Sequence, residues 1–234
     1  MTGQETRSPG EGAAPGWNKA AGKPTTALLL RHGATELSAE RRFSGREDIA
    51  LTKEGIRQAG LAARRLAAAP GVDVIVTSPL QRARRTAEAV AEATGAPMIV
   101  DDDLAEADFG QWQGLSFAEA SQRWPGELAA WLASPDAAPP GGESFAIVAL
   151  RVLGAMDRLA KAHQHSTAVV VSHVTPIKTL VCRALLAPPE AMFRMNLDVA
   201  SLTRIDCFDN GSALLRSFND TAHLQQRRRW RRST

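Results

Sequence analysis

The sequence predicts an α/β domain, and three observations support this class. From about residue 26 onward, short apolar runs alternate with longer amphipathic segments, as strands alternate with helices in α/β proteins. Two of the runs, LLL at 28–30 and VVV at 169–171, are continuously apolar, which is typical of strands buried on both faces. The composition, with 44% hydrophobic and 23% charged residues, is ordinary for a globular protein, and 234 residues are enough for one domain with a full core or for a domain plus tails.

The chain first predicts a strand, a helix and a second strand. The strand at 26–31 is followed by an irregular segment. Thr52 is a favourable N-cap for an Ala-rich helix, which is expected to stop at Pro70-Gly71. VDVIVTS at 72–78 is rich in β-branched residues and predicts the second strand.

A second helix and a third strand follow directly. Ser78 is expected to cap a helix that has Pro79 at its first position and Gly95 just past its end. APMIVD at 96–101 predicts a short third strand. Between 104 and 142 the pattern predicts two short helical pieces and a loop rich in Pro and Gly.

The last part of the chain predicts helices around a central strand, and then a hairpin. A long amphipathic helix is expected at 143–162. TAVVVS at 167–172 predicts a central strand, and Thr175 and Pro176 open the helix after it. The Asn-Gly pair at 210–211 predicts a hairpin turn between two late strands.

The two ends of the chain differ from its middle in composition. Residues 1–25 are rich in Gly, Pro and polar side chains, so we expect a disordered tail or linker there. The domain is placed at 26–220, and 221–234 is expected to be a basic flexible tail. Without that tail's RRRWRR arginines the formal net charge of +3 becomes −2, so the basicity belongs to the tail. Such a run can contact the phosphates of nucleic acid, but a solvated terminus is the commoner case.

The sequence carries none of the usual features of a membrane or secreted protein. No apolar run reaches about 18 residues, and no N-terminal apolar stretch resembles a signal peptide. Cys182 and Cys207 are isolated and do not form a disulfide framework. We therefore expect a cytoplasmic protein with no membrane partner, and its oligomeric state stays open, a dimer included.

Two buried strands end in the same residue type. ALLLRH delivers His32 from the first strand, and AVVVSH delivers His173 from the later central strand. Ligands of open α/β sheets bind just outside the carboxyl ends of the strands, so both histidines are candidates for one site. Arg31 precedes the first histidine, and Arg82 lies one turn into the helix that follows the second strand.

These four side chains favour an anionic ligand. Guanidinium groups bind phosphate oxygens through paired N–H donors, so two arginines with two histidines suit a dianion. A metal site in which His32, His173 and nearby acids are the ligands is the alternative. The flanking arginines would repel a divalent cation, and we expect neither a metal nor another cofactor.

Arg31-His32-Gly33-Ala34-Thr35 resembles the R-H-G-x-T signature of the histidine phosphatase superfamily, which is also called phosphoglycerate-mutase-like. The resemblance covers about residues 26–219 and continues through FSG, LTKEG, SPLQRARRTAE, LAEADFGQWQG, PGGES and VVVSHVTP. Within the superfamily the chain is most similar to α-ribazole-phosphatase-type enzymes. It is also similar to the phosphatase half of bacterial ribonuclease H/phosphatase fusions, so the N-terminal tail could be the remnant of a linker. The resemblance implies a three-layer αβα sandwich with a mainly parallel central sheet.

The resemblance also implies a role for each matching residue. His32 is the expected nucleophile, Arg31 and Arg82 the clamp on the phosphoryl oxygens, and His173 a donor to the transferring group. Glu106 matches the proton donor to the leaving oxygen; the nearby acids that could replace it are Asp102, Asp103 and Asp108.

Further phosphate contacts are implied for Ser44, Gly45 and the backbone N–H of Val174. Ser38 is expected to make another, although the family often has Asn at that position and serine reaches less far.

The implied activity is hydrolysis of a phosphate monoester, with a small phosphorylated metabolite as partner. Candidate substrates are α-ribazole 5'-phosphate of the cobalamin pathway and other small phosphometabolites. Mutase-type phosphoryl transfer is the alternative, but only 67 positions separate Glu106 from His173, too few for the insertion of the cofactor-dependent mutases. A non-catalytic phosphate-binding module is the other alternative. Four aromatic residues could stack on a nucleoside-like group or simply pack a small core: Trp112, Phe117, Trp124 and Trp131.

Overall fold

One six-stranded sheet organises the chain, as seen in a computed structural model that describes residues 22–68 and 71–225. The strands, in chain order, are β1 Thr25–Arg31, β2 Val74–Thr77, β3 Met98–Val100, β4 Thr167–Ser172, β5 Leu202–Cys207 and β6 Ala213–Asp220. They lie in the order β3-β2-β4-β1-β5-β6. The first four strands are parallel to one another, whereas β5 and β6 pair antiparallel. The α/β class and the mainly parallel sheet are therefore confirmed.

Helices cover both faces of this sheet. In the described part of the chain they are α1 Glu36–Ala39, α2 Lys53–Ala67, α3 Gln81–Thr94, α4 Phe117–Arg123, α5 Pro125–Ala133, α6 Phe145–Ala162 and α7 Val174–Ala184. On one face, α2 and α3 pack against Leu30 and Val169. On the other face, α6 and α7 pack against Leu29 and Val170, because successive strand residues point to opposite sides. The expected three-layer αβα sandwich is confirmed.

The pairing of β1 with β4 sets the position of the two predicted histidines. The strands run parallel with Arg31 opposite Ser172, so the next residue on each strand leaves the sheet at the same level. β2 pairs with the other side of β4, with Thr77 opposite Val171. The loop after β2 therefore ends at the same edge, and α3 begins there with Arg82 in its first turn.

Several turn and cap predictions are confirmed. The Thr52 side chain accepts a hydrogen bond from the Gly55 N–H at the start of α2. Gly95 ends α3 with a φ of 73°, and Gly211 lies in the β5–β6 hairpin with a φ of 80°. Glycine adopts these positive φ angles without the steric cost that a side chain would add.

The predicted start of α3 is wrong. The helix begins at Gln81 with Leu80 as its N-cap, so Pro79 lies before the helix and Ser78 does not cap it. The Ser78 hydroxyl forms a 2.7 Å hydrogen bond with His173 and accepts a bond from the Leu80 N–H. Ser78 therefore belongs to the site at the end of the sheet.

Several sequence predictions fall outside the described residues. They are the tail at 1–21, the helix end at 69–70, and residues 226–234 with the RRRWRR run. Residues 221–225, which the sequence places in the basic tail, include a 3₁₀ turn at Ala222–Leu224. In this segment His223 contacts Arg65 of α2 and the carbonyl of Ala200. Over 22–68 and 71–225, no helix is long and apolar enough to cross a membrane.

Candidate active site

His32 and His173 lie side by side just beyond the ends of β1 and β4. Their ring centroids are 5.0 Å apart, and both side chains are buried. The backbone N–H of His32 donates to the Ser172 carbonyl, and its carbonyl accepts from the Ala200 N–H. These bonds fix the main chain of His32. The two histidines therefore lie together at the ends of their strands, as inferred from the sequence.

The His32 ring is held as a neutral imidazole with one available nitrogen. Its Nδ1 lies 2.7 Å from the Gly33 carbonyl oxygen, which requires the hydrogen on Nδ1 and leaves the lone pair on Nε2. Burial lowers the pKa of His32 well below its ordinary value, and the charges of Arg82 and Arg31 lower it further. A neutral Nε2 next to two cations can act as a nucleophile toward an anion.

Gly33 also allows a close backbone contact beside this ring. A Cβ at this position would lie 2.3 Å from the Gly55 carbonyl oxygen at the start of α2. No side chain fits there without moving that helix away from the strand end.

His173 keeps one ring nitrogen without a partner. Its Nε2 lies 2.7 Å from Ser78 Oγ, whereas its buried Nδ1 has no hydrogen-bond partner among the described residues. Burial, followed by the charge of Arg82, lowers the pKa of His173 well below its ordinary value. Buried polar atoms are rarely left unpaired in native proteins, so this nitrogen indicates a place for a ligand atom.

Arg82 is completely buried, and its guanidinium holds the loop that follows α1. Its two terminal nitrogens donate to the carbonyls of Glu47 at 2.8 Å, Gly45 at 2.7 Å and Ser44 at 3.2 Å. Its Nε has no partner in the described part of the chain. Burial lowers the pKa of Arg82, and Glu106 is the acid that most offsets this.

Arg31 at the end of β1 supplies a second, half-buried guanidinium. It donates to the Leu197 carbonyl, and its Nε is without a partner among residues 22–68 and 71–225. Burial lowers the pKa of Arg31 to about 10, so the group remains a cation at neutral pH. We call Arg31, His32, Arg82 and His173 the basic cluster; its unused donors suit a phosphoryl group.

Glu106 lies in the loop that follows β3, and its carboxylate is held at the N-terminus of α7. Its carboxylate accepts hydrogen bonds from the backbone N–H groups of Val174 at 3.0 Å, Thr175 at 3.2 Å and Ala107 at 2.8 Å. A helix N-terminus stabilises a carboxylate in this way. Glu106 lines the same pocket as Arg31 and His32.

The competing acids lie elsewhere. Asp103 pairs with Arg158, and Asp108 accepts a hydrogen bond from the Gly110 N–H. Neither these two nor Asp102 lines the pocket, in which Glu106 is the acidic residue among those described. The geometry therefore favours Glu106 over its rivals.

Arg151 of α6, which the sequence analysis did not single out, positions Glu106. Its guanidinium donates to the carbonyls of Asp103 and Ala105, each at 2.7 Å, and of Glu106 at 3.0 Å. It also pairs with Glu143. One side chain thus holds the backbone on which the pocket carboxylate sits.

The further phosphate contacts expected from sequence have other partners in this structure. The Val174 N–H donates to Glu106, and the Gly45 N–H donates to Gln113. The Ser38 hydroxyl donates to the Thr35 carbonyl and completes the capping box of α1, which leaves it no hydrogen for a phosphate.

Ser44 differs from these residues. Its buried Oγ has no partner in the described residues, and the side chain lines the pocket. Of the expected phosphate contacts beyond the basic cluster, only Ser44 therefore keeps a free donor for a ligand.

A pocket of about 260 Å³ opens from Arg31, His32 and Glu106 toward an aromatic wall. Of the four aromatic candidates from the sequence, Trp131 lines the pocket and also packs in the core. Trp112 packs in the core with Trp124 against it, and Phe117 is half exposed. The other aromatic residues of the pocket were not among the candidates. We define the aromatic wall as Phe43, Phe109, Trp131, Phe145 and Phe193, with contacts such as Trp131–Phe145 at 4.7 Å between ring centroids.

The structure also bears on the metal alternative. In the described ranges, no group of three or more His, Cys, Asp or Glu side chains is placed to hold a metal ion. The histidines share the site with two guanidinium groups instead.

Comparison with known proteins identifies the family. Residues 27–221 match the family model of the histidine phosphatase superfamily (branch 1). The chain belongs to this superfamily. The match includes every residue of the basic cluster and Glu106.

The similar proteins include phosphatases. A bifunctional protein of Mycobacterium tuberculosis is 47% identical over 219 residues, which are 94% of this chain and 59% of that protein. The chain thus spans about three fifths of that relative's length. Phosphoserine phosphatase 1 of Hydrogenobacter thermophilus is 33% identical over 198 residues, or 84% of this chain and 93% of that protein. A solved structure described as a candidate alpha-ribazole-5'-P phosphatase of Escherichia coli has a TM-score of 0.75 at 29% identity, covering 84% of this chain and 97% of its own.

Proposed function

We propose that this histidine phosphatase hydrolyses a small phosphate monoester through a phosphohistidine formed on His32. The observation that carries the proposal is the neutral His32 ring, which has Nε2 available beside the cations Arg31 and Arg82. The two guanidinium charges balance a phosphate dianion. The proposal therefore includes metal independence, because these cations supply the charge stabilisation that a metal supplies in other phosphotransferases.

The reaction has two displacements. His32 Nε2 attacks phosphorus, the bond from phosphorus to the leaving oxygen breaks, and Glu106 as a carboxylic acid gives that oxygen its proton. Glu106, now a carboxylate, then takes a proton from water, the water oxygen attacks phosphorus, and the P–N bond breaks. Inorganic phosphate leaves, and His32 is neutral again.

Arg31, Arg82 and His173 stabilise the negative charge of the phosphoryl group. Arg31 and Arg82 hold the equatorial oxygens, and His173 donates a hydrogen bond from Nδ1, the nitrogen that has no partner among the described residues. Groups that are fixed before the reaction stabilise the transition state without reorganisation. Ser44 adds a hydroxyl donor at the same place.

Hydrolysis is favoured over mutase transfer by the short segment between Glu106 and His173. For the substrate, the aromatic wall supports a leaving alcohol with an apolar or flat part. α-Ribazole 5'-phosphate, suggested by the resemblance and by the Escherichia coli structure, has such a part. Other small phosphometabolites, phosphoserine among them, remain within the proposal.

A trapping experiment tests the covalent step. The chain is mixed briefly with a ³²P-labelled monoester and denatured in alkali; label should remain on the protein and be released by acid, because phosphohistidine is acid-labile. His32→Ala should neither retain label nor turn over p-nitrophenyl phosphate, whereas His163→Ala, a histidine outside the pocket, should do both. Label retained by His32→Ala would contradict the assignment.

A chelator tests metal independence. Wild-type turnover should survive excess EDTA; a loss of turnover that a divalent ion restores would overturn metal independence.

A further inference from the structure

Lys178 is a cation in the pocket to which the proposed reaction gives no role. It lies on α7, one turn beyond Val174, and lines the same pocket as His32 and Glu106. Its side chain is partly buried. Within residues 22–68 and 71–225 its ammonium forms neither a hydrogen bond nor an ion pair.

The surroundings of Lys178 make an unoccupied ammonium unfavourable. Burial lowers its pKa, the charge of Arg31 lowers it further, and the attraction of Glu106 offsets only part of this. A partly desolvated cation has lost some of its hydration, and an anion placed beside it compensates for that loss.

The other cations of the pocket are already engaged. Arg42 donates to Glu119, Glu40 and the Gly114 carbonyl. Arg31 and Arg82 together balance the two negative charges of a phosphate monoester. The basic cluster therefore has no excess positive charge for a second anion. Lys178 is left as a positive charge that lines the pocket and has no partner among the described residues.

We infer that Lys178 is a specificity-determining residue that binds a second oxyanion, a carboxylate or another phosphate, on the leaving alcohol of the substrate. The inference rests on the proposed phosphatase function and narrows it to monoesters whose leaving group is itself anionic. The aromatic wall would then hold the apolar part of that leaving group, with its two ends fixed by the basic cluster and by Lys178.

Matched substrate pairs separate this role from general catalysis. 3-Phosphoglycerate against glycerol 3-phosphate tests a carboxylate, and propane-1,3-diol bisphosphate against 3-hydroxypropyl phosphate tests a second phosphate. Wild type should prefer the anionic member of at least one pair in kcat/KM, and added salt should weaken the preference.

Lys178→Met keeps the apolar stem and removes the charge. We expect KM for the preferred anionic substrate to rise about tenfold, the size of one hydrogen bond to a charged group, with kcat within about twofold. Turnover of p-nitrophenyl phosphate and of the uncharged member should stay at the wild-type level. Lys178→Arg should restore most of the preference, and Lys161→Met, which removes an exposed lysine on α6, should change nothing.

Equal behaviour of Lys178→Met and wild type on both pairs would overturn the inference. So would a fall in kcat shared by all substrates, which would place Lys178 in the phosphoryl step. Absence of wild-type turnover on p-nitrophenyl phosphate would instead refute the proposed function itself. Thermal unfolding of each variant shows whether the fold is intact.

Discussion

The basic cluster and the aromatic wall meet at one pocket, which Arg31 and His32 of the cluster line, but the two are built in different ways. The members of the cluster lie at or just beyond the ends of β1, β4 and β2. Hydrogen bonds to main-chain carbonyls hold Arg31, His32 and Arg82, and a bond to the Ser78 hydroxyl holds His173. The wall is gathered from five separate segments, and its rings contact one another. Under the proposed function, chemistry and selectivity therefore have separate structural origins. Changes in the cluster should affect all substrates, and changes in the wall only some.

Glu106→Gln should produce the largest selective effect, since the proposed mechanism assigns to Glu106 the proton transfer to the leaving group. Proton-transfer catalysis is typically worth about 10²- to 10⁴-fold, so kcat should fall by that range for alkyl phosphates. p-Nitrophenolate needs little protonation, and its ester should lose much less rate. Asp108→Asn is the matched control, because this acid lies outside the pocket lining. Equal losses on good and poor leaving groups would argue against the proton-donor role.

Arg82→Lys should lower kcat for every phosphate monoester alike. Removing one positioned donor of this kind costs about 10²- to 10³-fold, and lysine cannot reproduce the guanidinium fork that also holds the Ser44–Glu47 carbonyls. Arg84→Lys removes an exposed guanidinium from the same helix and should be neutral. Steady-state rates on aryl and alkyl phosphate esters show whether kcat falls equally for both. A loss confined to one kind of ester would contradict the distinction between the basic cluster and the aromatic wall.

Arg151→Met should act through Glu106. Without the guanidinium the Asp103–Glu106 carbonyls lose their shared donor, and misplacement of a catalytic group by about 1 Å can cost about 10²-fold. The loss should be greater for poor leaving groups, which a merely destabilised protein would not show. Arg158→Met, from the same helix, serves as control because its partners Asp101 and Asp103 lie outside the pocket.

The buried histidines should make folding stability depend on pH. The pKa values of His32, His173 and His223 are lowered in the folded state, mainly by burial. Below the unfolded value near 6.5 the unfolded chain therefore binds more protons, and the free energy of unfolding must fall as pH falls. Each histidine contributes at most about 1.4 kcal/mol per pH unit to the change of the unfolding free energy with pH. Urea denaturation between about pH 7 and 5.5 should show a smaller slope for His173→Gln than for wild type; an unchanged slope would contradict the lowered pKa.

Phe193→Ala should have the smallest effect, and only on substrates large enough to contact the aromatic wall. Phe193 is partly exposed at the pocket and contacts Trp131 at 5.5 Å between ring centroids. An aromatic contact is worth about 0.5–1.5 kcal/mol, so KM for 2-naphthyl phosphate should rise about two- to tenfold. Ethyl phosphate should be hydrolysed as by wild type. Phe117→Ala removes an exposed ring outside the pocket and supplies the control.

The sequence predicted the parts of the site that depend on local structure. His32 and His173 could be placed together because the strands that carry them are buried, parallel and adjacent, and each ends at the same level. Gly95 and Thr52 could be assigned to helix ends for similarly local reasons. The Ser78 cap was wrong because a hydroxyl has several local partners, and its bond to His173 depends on the packing of two distant segments.

Most of the aromatic wall, and the roles of Arg151 and Lys178, could not be predicted. Phe43, Phe109 and Phe145 lie far apart in sequence and meet only after the loops fold, and no spacing rule links them. Arg151 reads from sequence as an ordinary helix-surface cation, yet it binds three carbonyls of a loop more than forty residues away. Lys178 shows the same limit, since only the three-dimensional structure shows that it lines the pocket without a partner among the described residues.

The in-register pairing of β1 with β4 limits how the length of this chain can change. Inserting one residue within 25–31 would turn each later side chain of that strand to the opposite face, so Leu29 and Leu30 would exchange layers. The imidazole at position 32 would then point away from His173 unless a β-bulge absorbed the extra residue. Insertions and deletions should therefore be tolerated at the exposed turn of the β5–β6 hairpin, residues 209–212, and disfavoured in the central strands. A library of single-residue insertions, selected for phosphatase activity, would map that boundary directly.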